Sequence, residues 1–400
     1  MVKLNRIFEE IAFDKLQIEQ SLLNIENKER SNIFTWNGQF SPQFVEVILD
    51  KYAKNGDVIL DPFLGSGTVI YESGLKKLTA YGIELNISAY FISRLYTYIN
   101  VKIEDRIRIL SSIENILNNT FALDESNVDI IAEKLKDIND KITNENEKIV
   151  ITGFIVILDL YNKKLDTNIL FAKWRQLRDS LENLPFSEQP INVINNDSRN
   201  IPMYDNIVDL VITSPPYINV YNYHQQYRKS IELLGYNVLE IAKSEVGSNR
   251  KHRSNRFFTV VQYTKDICLI LKELIRVTKK NARIIFVVGR ESNVRGVSFL
   301  NSRIVYRLAT EVLELEFDLK QERVFKNRYG QMIYEDILHI INNKESNIDD
   351  INVLITKAGE IAVEELIKSK ANVCDEIILE EIQSAIENVN NINISPIAPL

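Results

Sequence analysis

Cysteine and histidine are scarce in this chain, two and three in 400 residues, and each shortage removes a class of explanation. Cys268 and Cys374 cannot build a disulfide framework, so a reducing compartment is expected. His224, His252 and His339 are too scattered for a zinc site, and no metal is expected. Long apolar runs are also missing. The longest, near Ile149 to Leu160, is broken by Thr152 and Asp159 and is too short to cross a bilayer. Met1 to Leu16 alternates charged and apolar residues, unlike a signal peptide. The expectation is a cytoplasmic protein with no membrane partner.

Charge is unevenly spread. From Lys344 onward there are eleven Asp or Glu against four Lys, a balance equal to the net −7 of the whole chain. The remainder is neutral, so a local basic patch remains available to a polyanion. At 400 residues the chain exceeds one ordinary core, and a large domain with an insertion or appendage is expected.

Residues 1 to about 30 read as helical from the spacing of Ile7, Ile11, Leu16, Ile18, Leu22 and Leu23. An aromatic, turn-rich stretch, Phe34 to Phe40, leads to Ser41 as a helix cap and Pro42 at the first helical position. That helix stops near Asn55-Gly56. Val58-Ile59-Leu60 forms a short strand, and Asp61-Pro62-Phe63-Leu64-Gly65-Ser66-Gly67-Thr68 follows, opening a helical pattern that runs to Gly74. A second strand, Ala80 to Ile83, ends at Glu84. Strand, glycine turn, helix, strand and acid form a βαβ nucleotide-binding unit.

Ser88 to about Leu184 is predominantly helical, longer than any simple connection, and reads as an insertion whose Trp174 belongs to a core. Strands resume at Ile191 to Ile194, Val208 to Ile212 and Ala282 to Val288, with helices over Val260 to Thr278 and Asn301 to Leu313. Phe317 to Phe325 and Tyr334 to Ile341 read as a hairpin. The fold class is α/β, a doubly wound and mostly parallel sheet with a late antiparallel hairpin. An acidic helical tail follows Lys344. The expected divisions are 1–100, 101–185, 186–343 and 344–400.

Two stretches carry chemistry. A Gly65-Ser66-Gly67 turn lets backbone approach a ligand closely, and Glu84 can accept from both hydroxyls of a ribose. No lysine follows the glycines as a phosphate loop requires, and the third glycine of a dinucleotide site is replaced by Ile70, so a nucleoside without pyrophosphate fits better. Asp197, just past a strand, is placed to accept from an adenine amine or to stand as a solvated loop residue. The second stretch is Thr213-Ser214-Pro215-Pro216-Tyr217. Two prolines stop the strand in a rigid elbow that offers a hydroxyl, carbonyls and an aromatic face, a kit for a flat molecule bearing an amine. On its own it also reads as a proline-bounded strand end.

Together these motifs resemble the S-adenosylmethionine-dependent DNA amino-methyltransferases of the S-P-P-Y type, with a Rossmann-like class I methyltransferase fold. The likeness covers about 34 to 92 and 190 to 342. It implies S-adenosyl-L-methionine as cofactor, lined by Asp61, Pro62, Phe63, Gly65, Gly67, Thr68 and Thr213, with Glu84 on the ribose and Asp197 on the adenine. The segment Phe34 to Phe44, Phe40 included, is similar to the part that closes over the methionine end. Ser214 and the Pro215 carbonyl would orient the target amine, with Pro216 rigid behind them and Tyr217 stacked on the base. Serine in the first position favours cytosine N4 over adenine N6. Cysteine-based carbon-5 methylation does not fit, because no Pro-Cys pair exists and both cysteines fall in expected helices.

A base buried in duplex DNA must be flipped out to reach such a site. The candidate phosphate contacts are Lys243, Arg250, Lys251, Arg253 and Arg256 in a Ser/Asn/Gly-rich stretch, extended by Arg228 and Lys229. Tyr221, Tyr223 and Tyr227 are open to a base-pocket or a packing role. The expected partners are double-stranded DNA and a cognate restriction endonuclease. The rival readings are an RNA or tRNA guanine-N2 methyltransferase, a dinucleotide-dependent oxidoreductase, and a DNA-binding subunit that has kept the fold without catalysis.

Overall fold

The computed structural model describes residues 7–121, 125–218, 223–248, 252, 254–327, 329–344, 350–371 and 373–398. Its centre is a seven-stranded sheet. Strands β1 (Val58–Asp61), β2 (Thr79–Glu84), β3 (Ile191–Asn195), β4 (Val208–Thr213) and β5 (Thr278–Gly289) run parallel. A short separate hairpin, β6 (Glu291–Val294) and β7 (Val297–Leu300), follows, and then the long antiparallel pair β8 (Glu316–Lys326) and β9 (Met332–Ile341). The order is β3-β2-β1-β4-β5-β9-β8, with β9 antiparallel to β5. This is the doubly wound, class I methyltransferase-like arrangement, with the order reversing between β1 and β4.

The parallel strands are continuous apolar runs because both faces are covered. Ile59, Leu60, Val211, Ile212, Ile284 and Ile285 are all fully buried. One face carries α1 (Gln20–Asn24), α2 (Pro42–Tyr52), α3 (Thr68–Leu75) and α4 (Ile87–Arg94). Four helices without intervening strands come next: α5 (Ile103–Thr120), α6 (Val128–Lys141), α7 (Glu145–Leu158) and α8 (Thr167–Glu182). They share the first core, with Trp174 fully buried edge-on to Phe154 at 5.4 Å. Buried Arg106 at the start of α5 donates to the carbonyls of Ile99, Val101, Leu181 and Pro185, which satisfies chain ends where the insertion leaves and rejoins the sheet.

After β4 come the short α9 (Arg228–Leu233) and α10 (Val238–Ile241), then α11 (Phe258–Val277) and α12 (Asn301–Arg307). The acidic tail forms α13 (Ile351–Lys370) and α14 (Glu376–Glu387). Leu354, Ala358, Ala362 and Leu366 of α13 enter the second core beside α11.

Three details differ from the sequence reading. Residues 7–30 hold only one short 3-10 turn, Phe8–Glu10, and α1. Phe8 and Phe13 dock along β8, where Phe13 bridges Lys320 and the Lys320 ammonium lies 4.3 Å from the Phe8 ring, whereas Ile7, Leu16 and Leu22 of the expected stripe are exposed. Pro42 does open its helix, but the Ser41 hydroxyl makes no capping bond. Cys374 lies between α13 and α14 rather than in a helix, while Cys268 is buried in α11.

Candidate active site

The carboxyl ends of the parallel strands meet at one cavity of about 1010 Å³, its open mouth included. Ligands of doubly wound sheets bind at this edge, at the reversal of strand order. Asp61 ends β1 and Thr213 ends β4, so the two straddle that reversal. The Thr213 hydroxyl donates to Asp61 Oδ1 at 2.7 Å, and the Phe63 amide donates to the same oxygen at 3.0 Å. Burial pushes the Asp61 carboxyl up to about 7, against the pull of those two bonds. Thr213 is fully buried and supports Asp61 from behind; it is not among the lining residues.

The glycine turn hangs on β2. Glu84 accepts from the Gly65 amide at 2.7 Å through one oxygen and from the Asn86 amide at 2.7 Å through the other. Burial pushes this carboxyl up to about 8, despite those amides. Gly65 and Gly67 both have positive φ, at 55° and 97°. Gly67 is also sterically required: a Cβ there would lie 2.7 Å from the Tyr96 ring. The turn thereby presents Asp61, Pro62, Phe63, Leu64, Gly65 and Thr68 to the cavity, with Glu84 beside them.

Residues 36 to 40 form the opposite wall and are tied to the turn by side chains. Ser66 donates to Gln39 Oε1 at 2.6 Å, Thr68 to Asn32 Oδ1 at 2.8 Å, and Asn32 in turn to the Phe40 carbonyl at 2.7 Å. Phe40, 9 % exposed, packs on Phe44 and lines the cavity. Trp36 stacks between Tyr223 and Tyr227, with ring centroids 6.4 and 6.2 Å away. Tyr223 reaches the cavity, whereas Tyr227 turns away and donates to the Thr35 carbonyl at 3.1 Å. Tyr221 lies outside the described residues.

The proline elbow faces the same space. Ser214 and Pro216 line the cavity and Pro215 is buried behind them. Tyr217 Oη is 3.5 Å from Ser214 Oγ, and burial raises its phenol above the ordinary range. The ring rests against Gly289 at the end of β5, where a Cβ would come within 2.7 Å of it.

Asp197 also lines the cavity, but it is not solitary. Arg199 grips it with a fork, Nε to Oδ1 at 2.9 Å and Nη2 to Oδ2 at 2.5 Å, with all these groups buried.

Several wall residues carry no sequence signal strong enough to find them. Glu245 reaches the cavity from the segment after α10 and is held by Asn86 Nδ2 at 3.2 Å and His224 Nδ1 at 3.3 Å. In the sequence Glu245 is only the odd acid of a basic stretch; its contacts come from residues 21 and 159 positions away. Gly289 and Arg199, which stand behind Tyr217 and Asp197 rather than in the wall, are equally hard to find from the sequence.

The basic stretch is only partly described. Arg250, Lys251 and Arg253 lie outside the described residues. Lys243 pairs with Glu240 at 2.7 Å and Arg228 with Glu232 at 2.6 Å, both on exposed surface, while Lys229 is exposed. Arg256 is half-buried two residues before α11.

Charge decides what the cavity can hold. Four carboxyl groups line it, Asp61, Glu84, Asp197 and Glu245, and no lysine or arginine does among the described residues. Burial holds Asp61 and Glu84 partly protonated and Arg199 offsets Asp197, so a pyrophosphate would find no cationic side chain in the wall, whereas a cationic nucleoside would favour the ionised carboxylates.

Part of the chain is similar to known proteins. Residues 4–94 match the model of a DNA methylase family. A stretch of 77 residues is 32 % identical to the Type II methyltransferase M.MjaII of Methanocaldococcus jannaschii, covering 19 % of this chain and 14 % of that protein. Solved structures with similar chain paths include a SAM-dependent methyltransferase from Methanosarcina mazei (TM-score 0.34, 12 % identity, 74 % of this chain and 98 % of that one). Another is the rRNA methyltransferase aviRa from Streptomyces viridochromogenes (TM-score 0.31, 10 % identity, 86 % and 96 %). At such scores the structural likenesses carry no argument; the sheet order and the sequence match do. The stretch that matches the DNA methylase family, residues 4–94, holds the glycine turn and Glu84.

Proposed function

We propose that this protein methylates an exocyclic amine of a flipped base in double-stranded DNA at a defined sequence, cytosine N4 in preference to adenine N6, using S-adenosyl-L-methionine. The observation that carries the reading is that Ser214 and Pro216 open onto the same cavity as Asp61, Gly65 and Glu84. A motif suited to a planar amine and a motif suited to a nucleoside thus share one space. The match to a DNA methylase family supports a DNA substrate, and the Type II name of the M. jannaschii relative supports a place beside a cognate endonuclease.

The residues present fit the cofactor. Gly65 leaves backbone open to it, while Gly67 is outside the wall and instead lets the turn pack on Tyr96; Glu84 is positioned for two hydroxyls, and the apolar faces of Phe40, Phe63 and Leu64 flank the space. The acidic lining suits its sulfonium and ammonium charges. When bound, it supplies an activated methyl group.

The chain's own part is positioning and charge. An exocyclic amine is a poor nucleophile because its lone pair is delocalised into the ring. The Ser214 hydroxyl and the Pro215 carbonyl accept its hydrogens, which draws the pair back onto nitrogen and aims it. Pro215 and Pro216 hold these acceptors rigid. Tyr217, backed by Gly289, offers its face to the ring, a contact worth about 1–3 kcal/mol per stacked base. Loss of the amine proton follows methyl transfer, and Asp61, whose carboxyl is pushed up to about 7, is a carboxylate of suitable basicity at the cavity wall. No covalent enzyme intermediate is needed, and Cys268 could not provide one: burial pushes its thiol up to about 12.

Phosphate contacts are assigned to Arg228, Lys229, Lys243, Arg250, Lys251, Arg253 and Arg256, which in the sequence flank the cavity residues Glu245, Val246 and Ser248. The test is transfer of tritium from labelled S-adenosylmethionine. Labelling of duplex DNA and not of tRNA supports the reading; labelling of RNA alone overturns it.

A further inference from the structure

The guanidinium that grips Asp197 is itself held from the far end of the chain. Arg199 is buried and uses its whole donor set. Besides the two bonds to Asp197, Nη1 donates to Asp266 Oδ1 at 2.8 Å and to the Ser395 carbonyl at 2.6 Å, and Nη2 to the Pro396 carbonyl at 2.8 Å. A longer contact runs from Nη2 to the Ser244 carbonyl at 3.3 Å, next to cavity residue Glu245. Asp266, fully buried on α11, is fixed from its other side by Ser395, whose amide donates to Oδ1 at 3.0 Å and whose hydroxyl donates to Oδ2 at 2.7 Å. The strand of chain bearing Ser395 is anchored in turn: Lys265 donates to the Val389 and Ile392 carbonyls, and Gln262 to Asn393.

We propose that this relay, Ser395–Asp266–Arg199–Asp197, makes residues 393–396 part of the cofactor site, with Arg199, Asp266 and Ser395 acting as positioning residues that aim the Asp197 carboxylate at the amino group of the bound purine. The inference rests on reading the cavity as a site for S-adenosylmethionine. Its physical basis is the cost of the arrangement. Two buried carboxylates facing one buried guanidinium leave a net negative charge away from water, and such a trio persists only if every donor and acceptor is matched. The carbonyls of Ser395 and Pro396 complete that matching. Without them two guanidinium N–H groups would be left unpaired, and the fork on Asp197 would be free to rotate. A carboxylate held by a two-point fork keeps a fixed plane, and because Oδ1 also accepts the Arg199 amide at 2.9 Å, the acceptor left for a ligand is Oδ2, pointing in one direction. That is what a site needs to distinguish a purine bearing an amino group from one bearing an oxo group at the same position.

The experiment is titration calorimetry of the full chain with S-adenosylhomocysteine and with S-inosylhomocysteine, which differ at the amino or oxo group of position 6 and in the proton that the oxo form carries on the adjacent N1. The wild type is expected to favour the adenine form at least tenfold. Ser395→Ala, which removes one hydroxyl, and Arg199→Lys, which keeps the charge but removes the fork, are expected to lower that ratio threefold or more while remaining folded at the assay temperature. A weaker affinity for both ligands with an unchanged ratio would mean that the relay is merely structural and would overturn the proposal. So would a wild type that binds both forms equally, which would leave the cofactor reading standing. If the wild type binds neither ligand, the cofactor reading itself fails and the proposal fails with it. Should Arg199→Lys not fold, Ser395→Ala decides the matter alone.

Discussion

The ring of Tyr217 lies on Gly289 so closely that a Cβ at 289 would stand 2.7 Å from ring carbon Cε2. Strand β5 therefore ends in the residue that lets the proline elbow keep its aromatic face where it is. Gly289→Ala is expected to push the ring aside, lowering methyl transfer about 100-fold, the scale of a misplacement near 1 Å, while cofactor affinity changes little. Single-turnover kinetics beside calorimetry separate the two; unchanged transfer would show that the ring's position is immaterial.

Tyr217→Ala removes the stacking face itself. Methylation should be abolished and cofactor binding retained, because Tyr217 is not among the residues lining the cavity with the glycine turn. An active variant would reject the stacking role.

The glycine turn is a stability element as well as a ligand cradle. Gly67→Ala places a Cβ 2.7 Å from Tyr96 at a φ of 97°. A cost of about 2 kcal/mol or more is expected from backbone strain and overpacking together. Denaturant unfolding measures it, and a variant as stable as the wild type would show that Tyr96 yields freely.

Burial pushes Glu84 up to about 8 in the folded chain, against about 4.3 when unfolded. Between those values the folded state holds a proton that the unfolded state has released, so this group's contribution to stability falls as pH rises through the window. Ligand hydroxyls that donate to ionised Glu84 act in the opposite sense, since binding must release the proton. Affinity for S-adenosylhomocysteine should rise between pH 6 and 8, and Glu84→Gln should weaken binding and flatten the profile between 7 and 8. A wild-type affinity independent of pH would remove Glu84 from the ligand.

Charge reversal at Arg250, Lys251 and Arg253 should weaken DNA binding and reduce its salt dependence, by up to about 0.9 in log–log slope for each phosphate that is no longer neutralised. An unchanged slope would reject that stretch as a phosphate-binding element.

Much of this architecture is legible in the sequence because it is local. The run from Val58 to Thr68 spells strand, turn and helix in adjacent residues, and Pro215-Pro216 must end a strand. The late hairpin shows through the turn at residues 327–330. What escapes is what depends on distant partners. The segment from residue 7 to 24 has helical spacing, yet Phe8 and Phe13 hold it along β8 and leave Ile7 and Leu16 exposed, so the tertiary contact wins over local preference. Glu245 reads as an exception in a basic stretch until Asn86 and His224 are seen around it. Asp197 reads as a solitary loop acid until Arg199 and a segment nearly two hundred residues away close on it.

The most direct test of the central claim is base-resolution sequencing, with modification type assigned, of DNA from cells expressing the protein and from cells expressing Tyr217→Ala. A methyl group on cytosine N4 at one recurring sequence, present with the wild type and absent with the variant, is the predicted result. Adenine N6 at such a sequence would keep the amine chemistry and overturn the preference assigned to Ser214. DNA without exocyclic-amine methylation, from cells in which the wild-type protein is folded, would contradict the account.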